Sequence, residues 1–138
     1  MTPLGARLRK LRAQRGVTLK EMATALNVSS AYLSALEHGK RGKPTWFLLH
    51  RMIAYFNVIW DEAEELQRLA EISDPKITIN TAGLPPEATE LTNRLAREIA
   101  TLSPEALQHL KNELIRNSAK AIPNGKLPPG EKRRSGTR

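Results

Sequence analysis

Residues 18–41 read TLKEMATALNVSSAYLSALEHGKR, and the spacing inside this stretch fixes the architecture around it. Thr18 with Glu21 three residues on makes a capping box, which opens a helix by satisfying two of its free N–H groups. Leu19, Met22, Ala23 and Leu26 then fall at i, i+3, i+4 and i+7, one apolar face. Asn27 tolerates the left-handed backbone that ends a helix, and Val28 is expected to plug the turn. Ser29 caps a second helix running to about His38, with Gly39 closing it. Two short helices across such a turn form a helix-turn-helix.

Before this stretch, Thr2-Pro3 supplies a cap and a favoured first-turn proline for a helix whose Leu4, Leu8 and Leu11 share one face, and Gly16 stops it. Val17 is expected to be buried at the corner. After the basic loop Lys40-Arg41-Gly42-Lys43, Pro44-Thr45 starts a fourth helix to about Phe56. Trp46, Leu49, Ile53 and Phe56 make its predicted inner stripe. Both tryptophans and Phe47, Tyr55 and Phe56 fall between residues 46 and 60, and they are expected to be core rather than a platform for stacking bases. An acidic fifth helix runs from Asp61 to about Ile72. The fold class expected is all-α: a five-helix head over 1–72, a linker over 73–85 with a short strand at 77–79, a helical hairpin over 86–117, and a basic tail over 118–138 too poor in apolar residues to fold.

In the hairpin, Leu91, Leu95, Ile99 and Leu102 form a seam that Leu107, Leu110 and Leu114 continue after Ser103-Pro104. The seam suits either a second copy of the chain or the chain's own head.

Net charge is +8 over 138 residues, which points to a polyanionic partner. Its distribution is uneven: +7 over residues 1–45, −4 over 46–117 and +5 over 118–138. With no cysteine there is no disulfide framework, thiolate zinc site or iron–sulfur cluster. No run approaches the ~20 apolar residues of a membrane span, and no signal-peptide core is seen, so a soluble cytoplasmic, nucleoid-associated protein is expected. His38, His50 and His109 are scattered, so no metal site and no cofactor are expected. Asp61-Glu62 and Glu64-Glu65 read as a solvated face, and no nucleophile–base set suggests an enzyme. Gly39-Lys40-Arg41-Gly42 matches the GxxG of an RNA-clamping KH domain, but that fold needs a three-stranded sheet the sequence does not offer.

The stretch 18–41, and less specifically the chain from its first helix to about Leu66, resembles the lambda-repressor-like and Cro-like (XRE-type) bacterial regulators. The likeness is carried by Thr18, Ala23, Leu26, Val28, Ser29, Tyr32-Leu33-Ser34, Glu37, Gly39 and Lys40-Arg41. Leu19 stands where the family often has a phosphate-bonding glutamine, and Asn27 stands where glycine is common.

By this resemblance Ser30, Ala31 and Ala35 align with base-touching positions, and Ser34 shares their outward face. Thr18, Lys20, Ser29, Tyr32, Lys40, Arg41 and Lys43 are placed at the phosphates. Arg12 and Glu37 align with a structural ion pair that braces the first helix on the third.

The short outward side chains agree with a helix lying deep in a major groove, although serine and alanine give no bidentate base recognition. The function implied is a double-stranded-DNA-binding transcriptional regulator, read as a repressor acting as a homodimer on a palindromic operator. The alternative is an autoregulatory antitoxin or anti-activator whose C-terminal hairpin binds another protein.

Overall fold

A computed structural model describes residues 1–121, with side chains through Ser118. These residues fold as α1 (Pro3–Arg15), α2 (Leu19–Leu26), α3 (Ser30–Glu37), α4 (Trp46–Phe56), α5 (Asp61–Glu71), α6 (Pro86–Glu98), a 3-10 turn at Ile99–Thr101 and α7 (Pro104–Ala121). The chain divides into a unit over Met1–Thr78 and a second unit that begins at Ile79.

In the first unit the caps set the boundaries. Thr2 Oγ1 accepts from the Gly5 N–H, Ser29 Oγ from Tyr32 and Thr45 Oγ1 from Leu48. Gly16, Asn27 and Asn57 end α1, α2 and α4 in left-handed conformation, at φ of 66°, 61° and 54°. Arg51 reaches from α4 to the free Leu26 carbonyl at the end of α2. The core joins Leu4, Leu8 and Leu11 of α1, Met22, Ala23 and Leu26 of α2, Leu33 and Leu36 of α3, Leu48, Leu49, Met52 and Phe56 of α4, and Leu66 and Ala70 of α5. Val17 and Val28 pack against it half-buried.

The aromatic residues of α4 and its flanks depart from expectation. Trp46, Phe47 and Trp60 are 63%, 74% and 80% exposed, and only Phe56 is fully buried. The inner stripe of α4 is Leu48, Leu49, Met52 and Phe56, so the helix is rotated away from Trp46. Trp46 instead stacks on His50, with ring centroids 3.9 Å apart, and meets Phe47 edge-on.

Ser73, at the end of α5, donates to the Leu69 carbonyl at 2.5 Å and accepts from the Leu4 N–H at 2.9 Å, pinning α5 to the start of α1. The strand expected at 77–79 does not form, and no strand occurs among the described residues. A single extended segment has no partner whose N–H and C=O groups it can pair.

In the second unit, α6 buries none of its residues. Leu91, Ile99, Leu110 and Leu114 are 57%, 49%, 46% and 63% exposed, with Leu95 and Leu102 half-buried. Here α7 continues to Ala121, past the boundary expected at 117. Ser118-Ala119-Lys120-Ala121 contains no helix breaker, and the first proline comes only at Pro123. The remainder of the basic tail, residues 122–138, lies outside the described residues.

Candidate nucleic-acid interface

The helix-turn-helix is held from behind by α1. The Thr2 N–H donates to the Glu37 carbonyl at 3.1 Å, and Arg12 donates to both Glu37 carboxylate oxygens at 2.9 and 3.1 Å. Glu37 is 2% exposed and the Arg12 side chain 13%. Between these contacts lies Gly5, where a Cβ would collide with the Glu37 carbonyl. Thus α1 grips α3 at main chain and side chain together, and the last turn of α3 is fixed.

Apart from Glu37, the fixed side of α3 is apolar. Leu33 and Leu36 are buried, while Ser30, Ala31 and His38 are exposed and Ser34 and Ala35 half-buried. The open side therefore carries short side chains, apart from Tyr32 at its edge and His38, whose Nδ1 lies 2.9 Å from the Ser34 carbonyl. Serine can donate or accept at a base edge, and alanine can meet a thymine methyl. Ser29 caps α3 through its oxygen and keeps its own O–H free to donate. With no acidic residue in that first turn, the open N–H groups of Ser30 and Ala31 present a positive helix end.

The start of α2 is different. Thr18 Oγ1 accepts from the Glu21 N–H at 3.0 Å, and Glu21 Oε1 accepts from the Thr18 N–H at 2.9 Å. The box occupies two donors and sets a carboxylate at that end, leaving the Leu19 and Lys20 N–H groups open. Of the two helix ends, α3 is the better cradle for a phosphate.

Past α3, Gly39 at φ 78° turns the chain, and the Lys40 N–H donates back to the Ala35 carbonyl at 2.8 Å. Lys40, Arg41 and Lys43 are all exposed, and Lys20 is exposed on α2. Arg41 and Tyr32 are brought together, with the guanidinium carbon 5.1 Å from the ring centre. Among the described residues no group of three or more His, Asp or Glu side chains is placed to hold a metal ion, and no helix is long and apolar enough to cross a membrane.

Three of these supports have no motif of their own in the sequence: Gly5, Ser73 and the Tyr32–Arg41 contact. Gly5 does carry a weak signal, because a glycine inside a helix costs about 1 kcal/mol against alanine and calls for a reason such as close approach.

A family model described as helix-turn-helix domain matches residues 3–67. The uncharacterized HTH-type transcriptional regulator RghRB of Bacillus subtilis (strain 168) is 36% identical over 61 residues, which cover 44% of this chain and 44% of RghRB. The chain thus spans less than half of that relative's length. The HTH-type transcriptional repressor RghR of the same strain is 29% identical over 117 residues, 82% of this chain and 83% of RghR. A chain of the solved SinR protein/SinI protein complex superposes at a TM-score of 0.39 with 22% identity, covering 83% of this chain and 98% of that one.

Proposed function

We propose that this chain, whose residues 3–67 match a helix-turn-helix domain, is an XRE-type regulator that acts as a repressor, binding a palindromic double-stranded DNA operator as a homodimer. One observation carries the reading: α3 opens a face of short side chains, and the exposed cations Lys40, Arg41 and Lys43 follow directly at its end. In this reading α3 enters the major groove, with Ser30, Ala31, Ser34 and Ala35 at the base edges. Thr18, Lys20, Ser29, Tyr32, Lys40, Arg41 and Lys43 meet the flanking phosphates. The Arg12–Glu37 pair is structural and keeps away from DNA, whose phosphates would repel the carboxylate.

The homodimer is supported by the apolar side chains of the second unit. Leu91, Ile99, Leu110 and Leu114 are each nearly half exposed or more, and pairing with a second copy would remove this apolar surface from water. Pairing of two such hairpins sets two heads on half-sites about 34 Å apart, or a multiple of it. The same exposed leucines favour a second reading, in which the hairpin binds a different protein, as in an antitoxin or anti-activator.

A duplex-binding selection from a random pool, read by sequencing, tests the proposal. A two-fold symmetric site with regular half-site spacing is the expected product. Equal recovery of every sequence, or preference for single strands, contradicts it.

A further inference from the structure

We propose that Tyr32 is a positioning residue for Arg41, holding that guanidinium beside the first turn of α3 with its charge unneutralised and its N–H donors free for a DNA phosphate. The inference rests on the DNA-binding reading above and adds to it a role for the Tyr32 ring itself, as distinct from its hydroxyl.

The turn after α3 makes the contact possible. Gly39 takes a left-handed conformation, and the Lys40 N–H bonds back to the Ala35 carbonyl, so the chain reverses instead of continuing away from the helix. Arg41 is thereby able to reach back to Tyr32, three residues into the segment that Ser29 caps, with its guanidinium carbon 5.1 Å from the ring centre. Ring faces attract a cation at this separation.

The nature of the partner matters as much as the distance. Arg7, Arg12, Arg68, Arg94 and Arg116 each face a carboxylate. Among the described residues Arg41 has no ion pair and no hydrogen bond, only the ring. A carboxylate would neutralise the charge and occupy the donor fork, whereas a π face restrains the side chain and brings no competing anion. A restrained, unneutralised arginine loses less rotamer freedom when a phosphate arrives. Tyr32 itself stands in the first turn of α3, whose Ser30 and Ala31 N–H groups are open, so side chain and helix end can act on the same stretch of backbone.

The test uses the full chain and a random-sequence duplex of about 20 base pairs, since phosphate contacts do not depend on sequence. Affinity is measured across a salt series for wild type, Tyr32→Leu, Tyr32→Phe, Arg41→Ala and the Tyr32→Leu/Arg41→Ala double variant. Leucine keeps the packing of Tyr32 against the core while removing the π face. Tyr32→Leu is expected to weaken binding about two- to fivefold with an unchanged salt slope, because no charge is removed. Tyr32→Phe is expected to restore most of that affinity. Arg41→Ala is expected to flatten the slope by about 0.9, and the double variant to bind like Arg41→Ala alone. Additive effects in the double variant, or Tyr32→Phe as weak as Tyr32→Leu, overturn the positioning role while leaving DNA binding in place. Wild-type affinity and slope in Arg41→Ala also overturn it. Failure of the wild-type chain to bind duplex at any salt removes the DNA reading itself, and the inference with it.

Discussion

Arg12 donates to both carboxylate oxygens of Glu37, at 2.9 and 3.1 Å, and so ties the third turn of α1 to the last turn of α3. The carboxylate is buried and the guanidinium nearly so, and the Glu37 carbonyl is held separately by the Thr2 N–H. The helix proposed to enter the groove is therefore oriented from the side opposite its open face.

Removing one partner of such a pair leaves a charge in a site with little water. Glu37→Ala is expected to lower unfolding free energy by about 3 kcal/mol, the lower end for buried pairs, because Arg12 retains some access to solvent. Urea unfolding of the full chain measures it. A change below about 0.5 kcal/mol would show the pair to be incidental.

Gly5→Ala adds one methyl at the crossing of α1 and α3, against a backbone carbonyl that cannot swing aside as a side chain does. Better helix propensity offsets about 1 kcal/mol of the cost. The net expectation is destabilisation by about 1–3 kcal/mol, seen as a lower Tm, together with weaker operator binding as α3 is displaced. Gly5→Ala with an unchanged or raised Tm contradicts the close crossing.

What is legible in the sequence follows the range of each interaction. Thr2, Thr18, Ser29 and Thr45 are caps, and Gly16 and Asn27 are left-handed stops; each acts on backbone within a turn, so its residue type announces it. The inner stripe of α4 is ambiguous, because the expected set of Trp46, Leu49, Ile53 and Phe56 and the observed set of Leu48, Leu49, Met52 and Phe56 both have helical spacing. Only packing against α2 and α5 chooses between them. Ser73 bonds Leu4, 69 residues away, and no local pattern marks such a contact. At the candidate interface the short side chains of α3 and the basic loop are legible. The Tyr32–Arg41 contact is not, since it depends on how Gly39 turns the chain.

The apolar side chains of the second unit, exposed at Ile99 and half-buried at Leu95, bear on assembly. Charged residues at Leu95 and Ile99 are expected to give folded chains that sediment as monomers and bind the operator poorly, while the head keeps its affinity for random duplex. If the wild-type chain is already monomeric at micromolar concentration and binds the operator at full strength, the homodimer fails.

If α3 reads bases and the loop after it only positions, charge and base preference must separate on mutation. A salt titration of operator and scrambled duplex resolves the two, comparing the Lys40→Ala/Arg41→Ala/Lys43→Ala variant with Ala35→Gln. Each phosphate left without its cation flattens the slope by about 0.9 whatever the neighbouring base. The loop variant is therefore expected to bind both duplexes more weakly and alike, with a slope lower by up to about 2.7. Ala35→Gln removes no charge; it is expected to leave the slope unchanged and shift preference by about 1–3 kcal/mol at one base pair. A loop variant that changes base preference, alongside an Ala35→Gln variant that leaves preference intact, contradicts the division of labour between helix and loop.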